Sequence, residues 1–468
     1  MNKKQIAVLV TILLQVPYIS CAADKLLQKG DFTYLGAFRV PKSDMGGPLY
    51  QGLPYGGSVI AYNYSNNSLF IVGHDSNQQI GEISIPEIKN TADINELNTA
   101  SVIQNLVDIT EGNRLNLKVG GGAIEVNGTK IGGLIRYGDK LIGSAYAYYD
   151  GGYDAVRSHF KSGLTTTTVG DFEGMFEVGS KPDPVPQAGF VGGYMTPIPV
   201  SWQALLGGKV LTGMSTLSVL GRTSSGPAAF AFDPDQLTGT TPAPAGALLY
   251  YPITHQTIGT YYSSQTLYNK GSHQSGIIFP PGTQSVIFTG KQGVGEACYG
   301  PGTNNLEEQW NRYDDPSPNN TCMGIPMTDT ADPCCYDPVN LEKGAHAYPY
   351  VDYMWAYDAD DFVRVKMGGR IVDNPSPNLV DGVPSTSTET YKPWHIKPYA
   401  SWELSLPYQQ NRYHIFGGAS AYDDTTNRLY IVQVQADVGG YAMWPIIHVY
   451  EINKGITSPT INNIIIAK

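Results

Sequence analysis

Four short apolar runs end in side chains suited to holding a hydroxylated ligand. Leu69-Phe70-Ile71-Val72 leads to His74 and Asp75, and Leu141-Ile142-Gly143-Ser144-Ala145 leads to Tyr146, Tyr148 and Asp150. Val286-Ile287-Phe288-Thr289 leads to Lys291 and Gln292, and Leu429-Tyr430-Ile431-Val432 leads to Gln433 and Gln435. Aromatic faces stack on sugar rings, while amides and charges bond to hydroxyls. Arg222, between Gly221 and Thr223, adds a fork that could clamp a carboxylate. Hydrolysis of a glycosidic bond needs two carboxyl groups, about 5–5.5 Å apart for retention or about 6.5–9.5 Å for inversion. Asp75, Asp150 and Glu296 are the pool for such a pair.

Each of these residues also has a plainer reading. His74 can cap a strand end, and Asp75 and Asp150 can form turns by bonding their own backbone. Lys291 can be solvated, Arg222 can sit in a structural ion pair, and Glu296 can orient the chain beside Cys298. His346, close to Tyr348 and Tyr350, reads as a buried hydrogen-bonded histidine, and Trp310 as either a small core or a stacking platform. No Gly-x-Ser-x-Gly elbow, His-Glu-x-x-His helix, Walker loop or sialidase Asp-box is present. No cofactor is identified. Calcium is the one ion that Asp-rich strand-end loops suit. Asp358-Ala359-Asp360-Asp361 lacks the Gly and distal Glu of an EF-hand and reads instead as a turn leaving a strand.

The elements that carry these residues repeat. Gly56-Gly57-Ser58-Val59-Ile60-Ala61-Tyr62, a polar turn, and Leu69 to Val72 match Gly417-Gly418-Ala419-Ser420-Ala421-Tyr422, a polar turn, and Leu429 to Val432. Both predict a β-hairpin with Asn and Asp at the turn. Shorter versions are Gly132–Tyr137 with Leu141–Ala145, and Gly276–Phe279 with Val286–Thr289. Gly192–Met195 opens a fifth, ending near Val210-Leu211. A second pattern is an alternating strand running into an acidic turn: Ala229–Phe232, Met354–Tyr357, Ile83–Ile85 and His448–Tyr450. Tyr34–Pro41 and Tyr399–Pro407 predict strands entering the first and last hairpins.

Self-similar three- or four-stranded units predict an all-β fold, a single β-propeller of roughly five to seven blades. Ring closure removes exposed strand edges, with one blade completed by both termini. A β-sandwich is the rival, but it needs no repeated hairpin and exit motif. If the repeats align, the strand-end residues above converge on one mouth of a central funnel. Tyr299–Glu342 has little hydrophobic periodicity and predicts an insertion, with cysteines, at about 298–342, between the second strand of one blade and a more outward one. Such an insertion could also take a protein partner.

Several phrases carry a resemblance. Tyr34–Pro41, Gly221-Arg222-Thr223-Ser224-Ser225-Gly226-Pro227, Cys334-Cys335-Tyr336-Asp337-Pro338 and His346-Ala347-Tyr348-Pro349-Tyr350 resemble a scattered set of uncharacterised bacterial and phage-associated exported proteins. The resemblance spans most of the chain and implies a bacterial exported protein with propeller-like repeats. It transfers no catalytic residue.

Export is also legible at the start of the chain. Lys3 and Lys4, the apolar run Ile6–Val16, and the small residues Ser20 to Ala23 form the three parts of a signal peptide over residues 1–23. That leaves 24–468 as the propeller domain. Cys21 has a competing reading as a lipid anchor, although Tyr18 stands where a lipobox usually has Leu. No segment is long and apolar enough to cross a bilayer as a helix. The remaining cysteines, Cys298, Cys322, Cys334 and Cys335, predict two disulfides in a periplasmic or secreted protein. Adjacent Cys334 and Cys335 reach separate partners more easily than each other, so Cys298 and Cys322 are those partners, in an order the sequence leaves open. Their spacing does not suit zinc. The mature chain has 28 basic and 41 acidic residues, a net charge of −13. That balance, with no basic run, argues against nucleic acid and anionic membranes as partners. The expected function is binding of an extracellular polar ligand, a glycan, at the funnel mouth. A carbohydrate-active hydrolase or lyase and a protein-interaction propeller are the alternatives.

Overall fold

The computed structural model describes residues 25–455, except 48–50, 125–127, 151, 153, 180–186, 216–222, 253–266, 310–320, 324, 327–332 and 409–416. The signal peptide, Cys21, Arg222 and Trp310 lie outside the described residues.

Side-chain alternation explains why the apolar runs are continuous. Along Leu69-Phe70-Ile71-Val72 successive side chains point to opposite faces, yet all four are fully buried. Leu69 and Ile71 pack in one core with Phe38, Tyr430 and Ile447. Phe70 and Val72 pack in another with Leu141 and Phe160. Leu429 and Ile431 likewise face Ile278 and Met354, while Tyr430 and Val432 turn the other way. A sheet buried on both faces has a neighbouring sheet on each side, and repeating that condition closes a ring.

The ring has five four-stranded sheets. Blade 1 comprises Ile60–Asn63, Ser68–Val72, Ile80–Ser84 and Val102–Val107. Blade 2 comprises Thr129–Tyr137, Lys140–Ala147, His159–Gly163 and Glu173–Phe176. Blade 3 comprises Met195–Pro197, Val210–Thr212, Ala229–Phe232 and Ala245–Leu249. Blade 4 comprises His273–Ile278, Ser285–Gly293, Tyr350–Asp358 and Ala400–Glu403. Blade 5 comprises Gly417–Asp423, Arg428–Gly439 and Ala442–Ile452, with Phe32–Arg39 as its fourth strand. The first strand of each blade touches the first strands of both neighbours, so these five line the axis. Their opening glycines have a steric cause. A Cβ on Gly132 would sit 2.0 Å from the Gly192 carbonyl oxygen, and one on Gly193 would sit 2.4 Å from that of Gly213.

The five expected hairpins are the inner strand pairs of the five blades. Two expected strands belong elsewhere. Phe32–Arg39 does not open the first hairpin; it pairs antiparallel with Ala442–Ile452, with Phe32 opposite Ile452 and Arg39 opposite Ile446. Ala400–Glu403 does not open the last; it is the outer strand of blade 4, with Trp402 opposite Met354. Each completes the preceding sheet, since a strand finds its partner at the open edge already formed. The acidic turns act as caps. Asp233 accepts from the Asp235 amide, and Asp358 accepts from that of Asp360 at the start of helix Ala359–Met367.

Between Ser285–Gly293 and Tyr350–Asp358 the chain leaves the blade to form the stapled insertion. Disulfides join Cys298 to Cys335 and Cys322 to Cys334, and such bridges persist in oxidising compartments. Buried His346 faces Asp337 Oδ2 with Nδ1 at 2.8 Å and the Gly300 carbonyl with Nε2 at 3.0 Å. The Tyr350 hydroxyl donates to the same Asp337 oxygen at 2.7 Å. No helix among the described residues is long and apolar enough to cross a membrane.

Candidate functional site

The starts of the inner strands and the ends of the second strands meet at one end of the axis. They enclose a cavity of about 540 Å³. Four of the strand-end residues singled out in the sequence line it: His74, Asp75, Tyr146 and Gln435. They come from blades 1, 2 and 5.

The loop after Val72 positions the first two. His74 Nδ1 accepts from the Ser76 amide at 3.1 Å, which leaves Nε2 as the protonated nitrogen, and its ring meets Tyr55 edge-on at 5.7 Å. Asp75 is ion-paired with Lys130 at 2.6 Å. Gln78 locks the loop to blade 2: its amide nitrogen donates to the Asp75 carbonyl at 2.7 Å, and its oxygen accepts from the Ile131 amide at 2.6 Å. Burial holds the Tyr146 hydroxyl well above its ordinary range, with Asp75 and Tyr148 adding to the effect. Tyr146 is therefore a neutral hydrogen-bonding group. Gln435 sits in left-handed backbone at φ 55°, where the pairing of blade 5 is interrupted between Gln433 and Asp437.

The other expected residues do not line this cavity. Tyr148 is exposed, and the Asp150 carboxylate accepts from the amides of Asp154 and Ala155, as a turn former does. Glu296 is exposed at the foot of the insertion. Gln292 accepts from Ser272 Oγ at 2.9 Å. Gln433 accepts from His448 Nε2 at 2.9 Å and donates to the Leu406 carbonyl. Lys291 stands 4.3 Å over the Tyr350 ring. Burial pushes its ammonium down to about 8, with Asp337 pulling the other way.

Blade 4 contributes residues that the strand-end pattern did not reveal: His273, Gln274 and Ser275. They open an inner strand with the polar run Ser272-His273-Gln274-Ser275, which reads as loop. That run, directly before Gly276, is the signal that could have found them. Burial pushes His273 down to about 3, and the Lys291 charge adds to this, so the imidazole is neutral at physiological pH. Gln274 is 1% exposed, and neither its amide oxygen nor its amide nitrogen has a hydrogen-bond partner. Its backbone amide donates to Ser215 Oγ at 3.2 Å.

The cavity thus offers neutral donors and acceptors, tyrosine rings from Tyr55, Tyr146 and Tyr194, and one carboxylate among the described lining residues. Among the described residues, no group of three His, Cys, Asp or Glu side chains is placed to hold a metal ion. The chain matches no family model and no curated protein. Among solved structures, a luciferin-regenerating enzyme matches at a TM-score of 0.32 and 5% identity, over 90% of this chain and 94% of that one.

Proposed function

We propose that this propeller is an exported binding protein for a glycan, held in the axial cavity by neutral hydrogen bonds and tyrosine faces. The observation that carries the reading is Gln274. A buried primary amide with an unpartnered donor and an unpartnered acceptor suits two adjacent sugar hydroxyls. Tyr55, Tyr146 and Tyr194 supply the apolar surface that such ligands stack on. Binding is favoured over hydrolysis because Asp75 is the one carboxylate among the described lining residues, and Lys130 neutralises it. The export part rests on the signal-peptide pattern of residues 1–23, with 24–468 as the mature propeller, and on the two disulfides.

The test is a panel of immobilised bacterial and plant oligosaccharides, probed with the mature protein and with Gln274→Leu. Selective capture that the variant loses is expected. Equal capture by both proteins would overturn the reading. Mass spectrometry of the same polysaccharides after incubation, with and without EDTA, separates the enzyme alternative: new oligosaccharide masses would establish turnover.

A further inference from the structure

The opposite end of the axis holds a second cavity, of about 620 Å³. The other ends of the inner strands line it: Tyr62, Arg136, Pro197, Phe279 and Tyr422, one from each blade. Ile135, Ile198, Ile277 and Phe279 form apolar walls, and Tyr62 and Tyr422 stand at the rim.

Most polar groups around this cavity are already engaged. Arg136 donates to Asn63 Oδ1 and Ser65 Oγ, both at 2.6 Å, and lies 3.5 Å over the Tyr64 ring. The Tyr62 hydroxyl donates to Asn67, and the Tyr422 hydroxyl donates to Asn427, each at 3.1 Å. Gln203 donates to the Ile198 carbonyl. Ser420 is the exception, because its hydroxyl is buried in the wall without a partner. Thr289 Oγ1 beside it is also buried and unpartnered. Gly276 makes the room for both: a Cβ there would lie 2.3 Å from Ser420 Oγ and 2.4 Å from Thr289 Oγ1.

An apolar cavity with one polar point deep in its wall selects for size, apolar surface and a single hydrogen bond. Of the two charged side chains in the described lining, Asp424 is exposed in the turn beyond Gly417–Asp423 and Arg136 is committed to three oxygens, so the apolar walls themselves offer a charged ligand no counter-charge. We propose that this second mouth binds a small uncharged molecule, an aromatic or alicyclic alcohol or ketone, whose oxygen engages Ser420 while its ring packs on Ile277 and Phe279. The site is separate from the glycan cavity, and the two ligands are expected not to compete.

Calorimetric titration with 1-naphthol and naphthalene tests this directly. One saturable site per chain, with naphthol bound about 5-fold more tightly than naphthalene, is expected for one neutral hydrogen bond. Ser420→Ala should erase that preference while leaving naphthalene binding in place. Ser201→Trp, on the exposed first turn of helix Val200–Leu206 at the rim, should weaken both at least tenfold. No saturable binding, a preference that survives Ser420→Ala, or indifference to Ser201→Trp would each overturn the proposal.

Discussion

Replacing Gln274 by Leu should move stability and binding in opposite directions. A buried polar atom without a partner costs roughly 1–3 kcal/mol, and Gln274 carries two such atoms at 1% exposure. Leucine removes both and has nearly the same bulk. Its backbone bond to Ser215 is untouched, and the residue remains on the inner strand of blade 4. Allowing for imperfect packing of a branched side chain, the variant should be more stable by about 1–3 kcal/mol. The bound state loses two neutral hydrogen bonds of about 0.5–1.5 kcal/mol each, so ligand affinity should fall roughly 5- to 150-fold. Urea unfolding gives the first quantity, and calorimetry with an oligosaccharide captured by the native protein gives the second. A variant less stable than the native protein would refute the reasoning. It would mean that the amide is satisfied in the free protein and belongs to the fold.

Glu82→Gln tests the inner stitching of blade 1. The fully buried carboxylate accepts from Asn63, Asn66, Ser68 and Gln104, and a neutral amide turned donor-to-donor against one of them should destabilise by about 2–4 kcal/mol at pH 7. Burial pushes this carboxyl up, but the four bonds outweigh it and leave the group below its ordinary value. Its contribution is therefore present above the unfolded-chain value of about 4.3 and fades as pH falls through the lower folded value; the gap between the two proteins in urea should close below about pH 4. Replacing Cys298 with Cys335, or Cys322 with Cys334, by serine opens loops of 37 and 12 residues, worth about 4 and 3 kcal/mol of chain entropy. Trypsin should then cut the insertion between 294 and 349 before any blade, and earlier cleavage in a blade would show that the staples support the ring. Gly213→Ala places a Cβ 1.9 Å from the Ala228 carbonyl oxygen and should destabilise by about 3 kcal/mol, measured by urea unfolding.

The parts legible in the sequence are those with a strong local cause. The five inner hairpins are visible because a strand buried on both faces is apolar at every position, and because the crowded axis demands glycine where each begins. His159–Gly163, the third strand of blade 2, shows no such run, since it mixes the buried His159, Phe160 and Ser162 with the half-buried Lys161 and ends in glycine. Ring closure by both termini foresaw the blade that Phe32–Arg39 completes, but the partner of Ala400–Glu403 could not be read, because periodicity reports which face of a strand is buried and not which edge it joins. The same limit divides the site. His74 and Asp75 follow their strand into the mouth, but Gln433 turns into blade 5, where His448 holds it. Gln435, two residues on, reaches the cavity only through an interruption of pairing that no residue type announces.

The two mouths acquire different lining residues from the same five strands for a topological reason. At the mouth lined by His74 and Gln274 each inner strand enters from the preceding blade and each second strand leaves for the third. The lining there therefore draws on loops such as His74–Ser76 as well as on strand ends. At the opposite mouth the inner strand turns back into its hairpin partner, through a short turn in blades 1, 2 and 5 and through helix Val200–Leu206 in blade 3. Much of the lining there is the end of the strand itself, still in the apolar alternation that packs the blades. Ile277 and Phe279 line that cavity and also belong to the core between blades 3 and 4. Polar substitutions there would damage packing, whereas His74 and Gln435 are only half-buried and stand outside the core clusters. The first mouth can thus change its lining at less cost to the fold, while the second is constrained by the core it grows from.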